Sequence, residues 1–293
     1  MSGGTRLERD AMHRLLAHFA RRYIAGESIN DAVSVARELN SRGILASIDN
    51  LGEMVSDPGH ARAGVAEYTR LLETISEKEV NANISLKLTH MGLEIGSGIC
   101  TENLERVITK AREFGNFVWF DMEGSRYTER TIDIFIDLHK QYDNIGIAIQ
   151  SAIRRSGGDV ANLIEEGARV RLVKGAYKEP PAIAFPEKEE VDRNFKELMV
   201  ELIMKGNNPA IATHDMRLIE DARHLAAEKG IAKERFEFQM LLGIKRSVQK
   251  RLADEGYRMR VYIPYGTAWL PYMVRRLRER RENLLFLLKN IAD

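Results

Sequence analysis

One alternation governs what this chain can fold into. Short β-rich runs occur at ILASID (44–49), ANISLKL (82–88), FVWFDM (117–122), IGIAIQ (145–150), ARVRLV (168–173), AIATHD (210–215), FEFQML (236–241) and MRVYIP (259–264). Between them lie helix-length segments with apolar stripes, such as Ile132, Phe135 and Ile136, or Val191, Phe195, Leu198 and Leu202. Connections of that length are crossovers between parallel strands, not hairpins. Eight such units predict an α/β fold, a (β/α)8 barrel over 44–293, with extra helices in an N-terminal extension over 1–43. The alternative is an open doubly wound sheet. It would carry a GxGxxG turn after the first strand, where this chain reads IDNLGEM.

Length and charge fit that picture. The chain has 293 residues, which suits a barrel of ~250 residues with additions. Its 44 basic residues nearly cancel 43 acidic ones, so no global field favours nucleic acid or an anionic membrane. The one cysteine, Cys100, excludes an intrachain disulfide framework and a multi-cysteine metal site, and is expected to be a small buried residue. The start, MSGGTRLERD, has no signal-peptide core. No run approaches the ~20 apolar residues of a membrane span. The expectation is a soluble cytoplasmic protein, with a peripheral contact to the inner face of the membrane left open.

Barrel active sites sit where the strands end. The runs end in, or carry, Asp49 with Glu53 following, Lys87, Asp121 with Glu123, Gln150, Arg171 with Lys174, Thr213-His214-Asp215, Gln239 and Tyr262. Lys87, Arg171 and Gln239 sit among apolar neighbours, where a polar group is costly unless paired. Only His214 of seven histidines lies at a clear strand end, so metal catalysis is disfavoured. Beyond the last run, Tyr272, Arg275, Arg276 and Glu279 fall at i, i+3, i+4 and i+7, on one helix face. Two guanidinium forks on one face suit a small carboxylate or a phosphate; a solvated basic face is the other reading. Lys87, Arg171, Lys174, Arg275 and Arg276 are more cations than one small carboxylate needs, and a small acid plus a pyrophosphate cofactor would account for them. A class I aldolase-like barrel with Lys87 as Schiff-base nucleophile is an alternative. An anion-binding barrel without catalysis is another.

RVRLVKGAY, IATHD, FEFQMLLG and YGTAWLPYMVRRLRER resemble the signature segments of the proline dehydrogenase family, which includes a domain of the bifunctional proline utilization A proteins. The resemblance runs from Ala46 to the tail. It implies a distorted TIM-type barrel, non-covalent FAD, and oxidation of L-proline to Δ1-pyrroline-5-carboxylate. It also implies a quinone as electron acceptor, usually at a membrane, and a pyrroline-5-carboxylate dehydrogenase as the next enzyme. By resemblance Lys87, Arg275 and Arg276 hold the proline carboxylate, while Tyr262 and Leu241 flank the ring. Asp121 and Tyr177 lie in or beside the substrate site. Gln150, Arg171, Val173, Lys174, Gly175, Ala176, Thr213, His214, Gln239 and Met240 contact the flavin, with Arg171 near its N5. Glu53 and Arg275 form an ion pair that closes the site.

Overall fold

In the computed structural model, residues 22–270 and Tyr272 are described. The elements alternate as the sequence predicts. They run α1 (Ile29–Asn40), β1 (Leu45–Asn50), α2 (Pro58–Glu77), β2 (Ala82–Lys87), α3 (Ser97–Glu113), β3 (Val118–Asp121), α4 (Ser125–His139), β4 (Ile145–Gln150) and α5 (Ser156–Glu165). Then follow β5 (Arg169–Val173), α6 (Lys188–Lys205), β6 (Ala210–Ala212), α7 (Met216–Glu228), β7 (Glu237–Leu241), α8 (Arg246–Asp254) and β8 (Arg258–Tyr265). Every strand pairs in parallel with the next, and β8 returns to β1 through Ala46 opposite Val261 and Ile48 opposite Ile263. That last pairing closes the barrel and removes the open-sheet alternative.

Local chemistry sets the element ends. Ser28 and Asp31 form a reciprocal capping box at the start of α1. Asp57 accepts from the His60 amide at 2.9 Å, and Pro58 occupies the first turn of α2, where its missing N–H costs nothing. The sixth strand is shorter than the run 210–215 predicts. Asp215 instead accepts from the Arg217 amide at 3.0 Å and caps α7, which ends the strand early.

Strand residues alternate between two environments. The outward set, including Ile48, Ile84, Leu86, Phe120, Ile147, Leu172, Phe238 and Val261, packs with the helices into one apolar core. Within the predicted N-terminal extension, α1 joins this core through Ala32, Val33 and Ala36. Cys100 lies in the core too, and burial pushes its thiol up to about 12. A second small cluster, Ile24, Leu51, Trp269 and Tyr272, sits where the chain leaves β8. The Ala25 amide donates to the Pro264 carbonyl, and the Gly266 amide to that of Gly26, both at 3.0 Å.

The inward set is the unusual part. Barrel interiors are generally filled by branched apolar side chains. Here the buried residues of this set include Ser47, Asp49, Asn83, Ser85, Lys87, Arg171, Glu237, Gln239 and Arg260. At the N-terminal end, Arg260 Nε meets Glu237 Oε1 at 2.9 Å and its Nη1 donates to the Ala46 carbonyl at 2.7 Å. Burial alone would raise the Glu237 carboxyl, but Arg260, Gln239 and Arg169 together hold it below the usual range. Removing one partner of a buried ion pair strands the other charge. Arg260→Met is therefore expected to destabilise the fold by about 3 kcal/mol, measured as a shift in the urea unfolding midpoint.

Candidate active site

Five strands supply two ion pairs and a phenol. From β2, Lys87 Nζ donates to Asp49 Oδ2 of β1 at 2.8 Å, with both side chains buried. From β5, Arg171 Nη1 donates to Asp121 Oδ1 of β3 at 2.6 Å. From β8, the Tyr262 hydroxyl donates to the other oxygen of the same carboxylate, also at 2.6 Å. Asp121 thus joins a guanidinium to a phenol. The Arg171 fork reaches lower as well, to Ser85 Oγ at 3.1 Å and Ser47 Oγ at 3.3 Å. Its carbon lies 4.5 Å from the Trp119 ring centre and 5.7 Å from that of Tyr262, cation–π distances on both.

The protonation states follow from these contacts. Burial would lower the Lys87 ammonium, but Asp49, Asp121 and Glu53 together hold it above its ordinary value. Burial raises the Asp121 carboxyl, against the pull of Arg171 and Lys87. Burial and the neighbouring Asp121 and Asp49 push the Tyr262 phenol well up, so it remains a donor. A Schiff-base lysine needs a neutral amine at working pH. The buried pairing of Lys87 with Asp49 favours the opposite state and speaks against the aldolase-like alternative.

Around this set the remaining strand ends form a partly open rim. Gln150 Nε2 donates to the Glu123 carbonyl at 2.8 Å. Gly175 has φ +115°, and a Cβ there would come 2.9 Å from Gln150 Oε1, so both backbone and space demand glycine. His214 Nε2 accepts from the Leu241 amide at 2.9 Å, which assigns the ring proton to Nδ1 and ties the ends of β6 and β7 together. Gln239 Nε2 donates to Glu237. Thr213 is buried, and its hydroxyl accepts from the Asp215 amide at 3.1 Å. Met240 faces the helices and belongs to the apolar core. Val173, Lys174, Ala176, Tyr177, Leu241 and Tyr262 are half-buried. Arg275, Arg276 and Glu279 lie outside the described residues, as does the Glu53–Arg275 pair on its arginine side.

The surplus of cations inferred from sequence is altered by the structure. Lys87 is matched by Asp49 and Arg171 by Asp121. Lys174 lies against both Asp192 and Asp215. Of the five cations counted, those three have carboxylate partners that strand-end inspection did not assign to them. Ser47, Ser85 and Trp119 were also missed as parts of the site, whereas Glu123 had been noted at the end of its strand. Their signal was the two-residue alternation: Ser47 and Asp49, Ser85 and Lys87, and Trp119 and Asp121 share the inward parity of their strands.

The chain matches the family described as Proline dehydrogenase over residues 32–289. The chain belongs to the proline dehydrogenase family. Proline dehydrogenase 2 of Bacillus subtilis (strain 168) is 39% identical over 273 residues, covering 93% of this chain and 90% of the relative. The proline dehydrogenase of Deinococcus radiodurans is 37% identical over 279 residues, covering 94% and 90%. Among solved structures, proline utilization A from Bdellovibrio bacteriovorus, inactivated by N-propargylglycine, superposes with a TM-score of 0.86 at 28% identity. That match covers 92% of this chain and 33% of the larger protein. The proline dehydrogenase barrel therefore corresponds to one part of a longer chain there. No helix among the described residues is long and apolar enough to cross a membrane.

The rim cluster gives a pH prediction. Burial would raise the Asp192 and Asp215 carboxyls, but Lys174 and its neighbours hold both below the ordinary range. A carboxyl depressed in the folded state stabilises it above the unfolded value, and that stability is lost as pH falls through the folded value. Replacing Lys174 by Met should cost about 1 kcal/mol near neutral pH in urea unfolding. The difference from the parent protein should shrink as pH drops below about 4, the unfolded carboxylate value.

Proposed function

We propose that this proline dehydrogenase family member oxidises L-proline to Δ1-pyrroline-5-carboxylate with non-covalent FAD, and that a quinone receives the electrons. The observation that carries this reading is the joined set Lys87–Asp49 and Arg171–Asp121–Tyr262 at the strand ends of a closed barrel, in a chain of that family.

The residues present fit the cofactor on three counts. Arg171 retains a buried Nε–H with no hydrogen-bond acceptor among the described residues, at a site where a flavin ring would bring acceptors. Gly175 is exposed at the end of β5 and carries no side chain, which suits close approach of a large ligand to its backbone. Lys174 adds a cation of the kind a pyrophosphate needs. Gln150, Arg171, Val173, Lys174, Gly175, Ala176, Thr213, His214, Gln239 and Met240 are the positions assigned to hold it, Met240 through its backbone. When bound, FAD supplies the two-electron acceptor for the ring C–N oxidation.

The chain's own residues bind, orient and shield the substrate. Lys87, whose charged form is favoured by Asp49, Asp121 and Glu53, meets the proline carboxylate, with Arg275 and Arg276 as the further donors assigned to it. Tyr262 and Leu241 cover the ring and exclude water. Asp121 holds the Tyr262 phenol and the Arg171 guanidinium in one geometry, so that a permanent positive charge stays beside the reacting ring. Tyr177 borders the same space, and Glu53 with Arg275 closes it. Proline must present an unprotonated amine before oxidation, so turnover should rise with pH. The product would pass to a dehydrogenase acting on pyrroline-5-carboxylate.

One spectrum tests the central claim. The purified protein should absorb near ~450 nm, bleach on adding L-proline, and release intact FAD on heat denaturation. Protein loaded with FAD that leaves proline unoxidised would refute the reading. Lys87→Met should weaken binding of proline and carboxylate inhibitors by about 2–5 kcal/mol. Because that change also strands Asp49, Lys87→Met with Asp49→Asn is the cleaner comparison. The double variant should recover thermal stability while the Michaelis constant stays high.

A further inference from the structure

The segment 51–56 between β1 and α2 carries Glu53 and has no regular secondary structure. Its centre, Met54, has φ +59°, a left-handed conformation that side chains other than glycine rarely adopt. Something must hold it there. The Met54 amide donates to Thr89 Oγ1 at 3.0 Å, and the next amide, Val55, donates to the Thr89 carbonyl at 3.0 Å. Met54 Sδ also rests 3.1 Å from the Tyr127 hydroxyl, whose proton goes to Glu94.

Thr89 is itself gripped from the other side. Its amide donates to Glu123 Oε2 at 3.1 Å and its hydroxyl to Glu123 Oε1 at 2.5 Å. Glu123 and Thr89 are both buried, and the Glu123 carbonyl accepts from Gln150. The direction of this relay is set by chemistry. An ionised carboxylate only accepts, so the Thr89 hydroxyl must give its proton to Glu123 and keep a lone pair for the Met54 amide. The loop is thereby fastened to the ends of β2, β3 and β4. Glu53 lies next to the fastened residue and is close enough to Lys87 to help keep that ammonium charged.

We infer that Thr89, oriented by Glu123, is a positioning residue that fixes the Glu53 loop against the barrel and so sets the affinity for the substrate carboxylate. The inference rests on the proline-oxidation reading above. Thr89 touches neither the Lys87–Asp49 pair nor the Arg171–Asp121–Tyr262 set through any hydrogen bond among the described residues. The route argued from Thr89 to substrate is the loop backbone that carries Glu53.

Amide hydrogen exchange at single-residue resolution, together with steady-state kinetics, decides the matter. In the parent holoenzyme the Met54 and Val55 amides should exchange at least about tenfold slower than unprotected amides. Thr89→Val keeps the shape and removes the hydroxyl; it should speed Met54 exchange about tenfold, the scale of one lost hydrogen bond. It should also raise the Michaelis constant for proline several-fold while kcat stays within about a factor of two, the signature of lost binding shared by ground and transition states. Thr89→Ser, which restores the hydroxyl, should return both readouts to parental values. A general loss of packing would not be rescued in this way. Unprotected Met54 and Val55 amides in the parent would overturn the inference without any variant. So would parental exchange and an unchanged Michaelis constant in Thr89→Val. Failure of the FAD-loaded parent to oxidise proline would instead sink the proposed function.

Discussion

A barrel filled with charge is stable only where each buried charge meets its opposite, and the Arg171–Asp121 contact at 2.6 Å is the pairing on which the others turn. Arg171 sits across the interior, with Ser47 and Ser85 below it and Trp119 and Tyr262 against its plane. Asp121 then has one oxygen left, and Tyr262 takes it. The two groups fix the positions of one side chain each from β1, β2, β3 and β8. Without Asp121, a guanidinium would be buried with only neutral hydroxyls around it, at a cost of several kcal/mol.

This arrangement reconciles stability with function. An apolar interior would be more stable but could not present fixed charge at its end. The interior divides into two charged sets, Arg260–Glu237 at the N-terminal end and Lys87–Asp49 with Arg171–Asp121 toward the C-terminal end. The first has no assigned part in substrate binding and joins β7 to β8. The second contains the groups proposed to face the ligand. The outer core of branched and aromatic side chains supplies the cohesion that lets the interior be polar.

The loop after β1 belongs to the same logic. It lies on the segment after β2, which in turn lies on Glu123 after β3. Successive strand ends therefore brace one another around the rim. Gln150 of β4 continues the chain of contacts, and Gly175 packs above Gln150 because nothing larger fits. Rigid support below a short loop is how a binding site keeps its geometry without covalent links.

Much of this was legible in the chain. The eight runs and the helix-length connectors between them are local patterns, and the structure reproduces them within a few residues. The early end of β6 was not foreseen, because Asp215 reads equally as a strand residue and as a helix cap until its partner amide is placed. Lys87, Arg171 and Gln239 stood out as polar residues among apolar neighbours, and all three are buried. The surplus of positive charge read from the sequence is smaller among the described residues, for a physical reason. Counting cations at strand ends ignores anions that arrive from other strands, and Asp49 comes to Lys87 from 38 residues away, Asp121 to Arg171 from 50.

Periodicity and signature segments depend on neighbours in the chain, so fold class and family were already written there. Which carboxylate neutralises which cation depends on barrel closure, which brings β8 beside β1 and turns one parity of every strand inward. The charge state of Lys87 and the fastening of the Glu53 loop by Thr89 follow from the pairing of β1 with β2, and the bridge from Asp121 to Tyr262 from the curl that carries β8 round to β1. Electrostatic energy falls with distance in space, not along the chain, and only the folded barrel sets those distances.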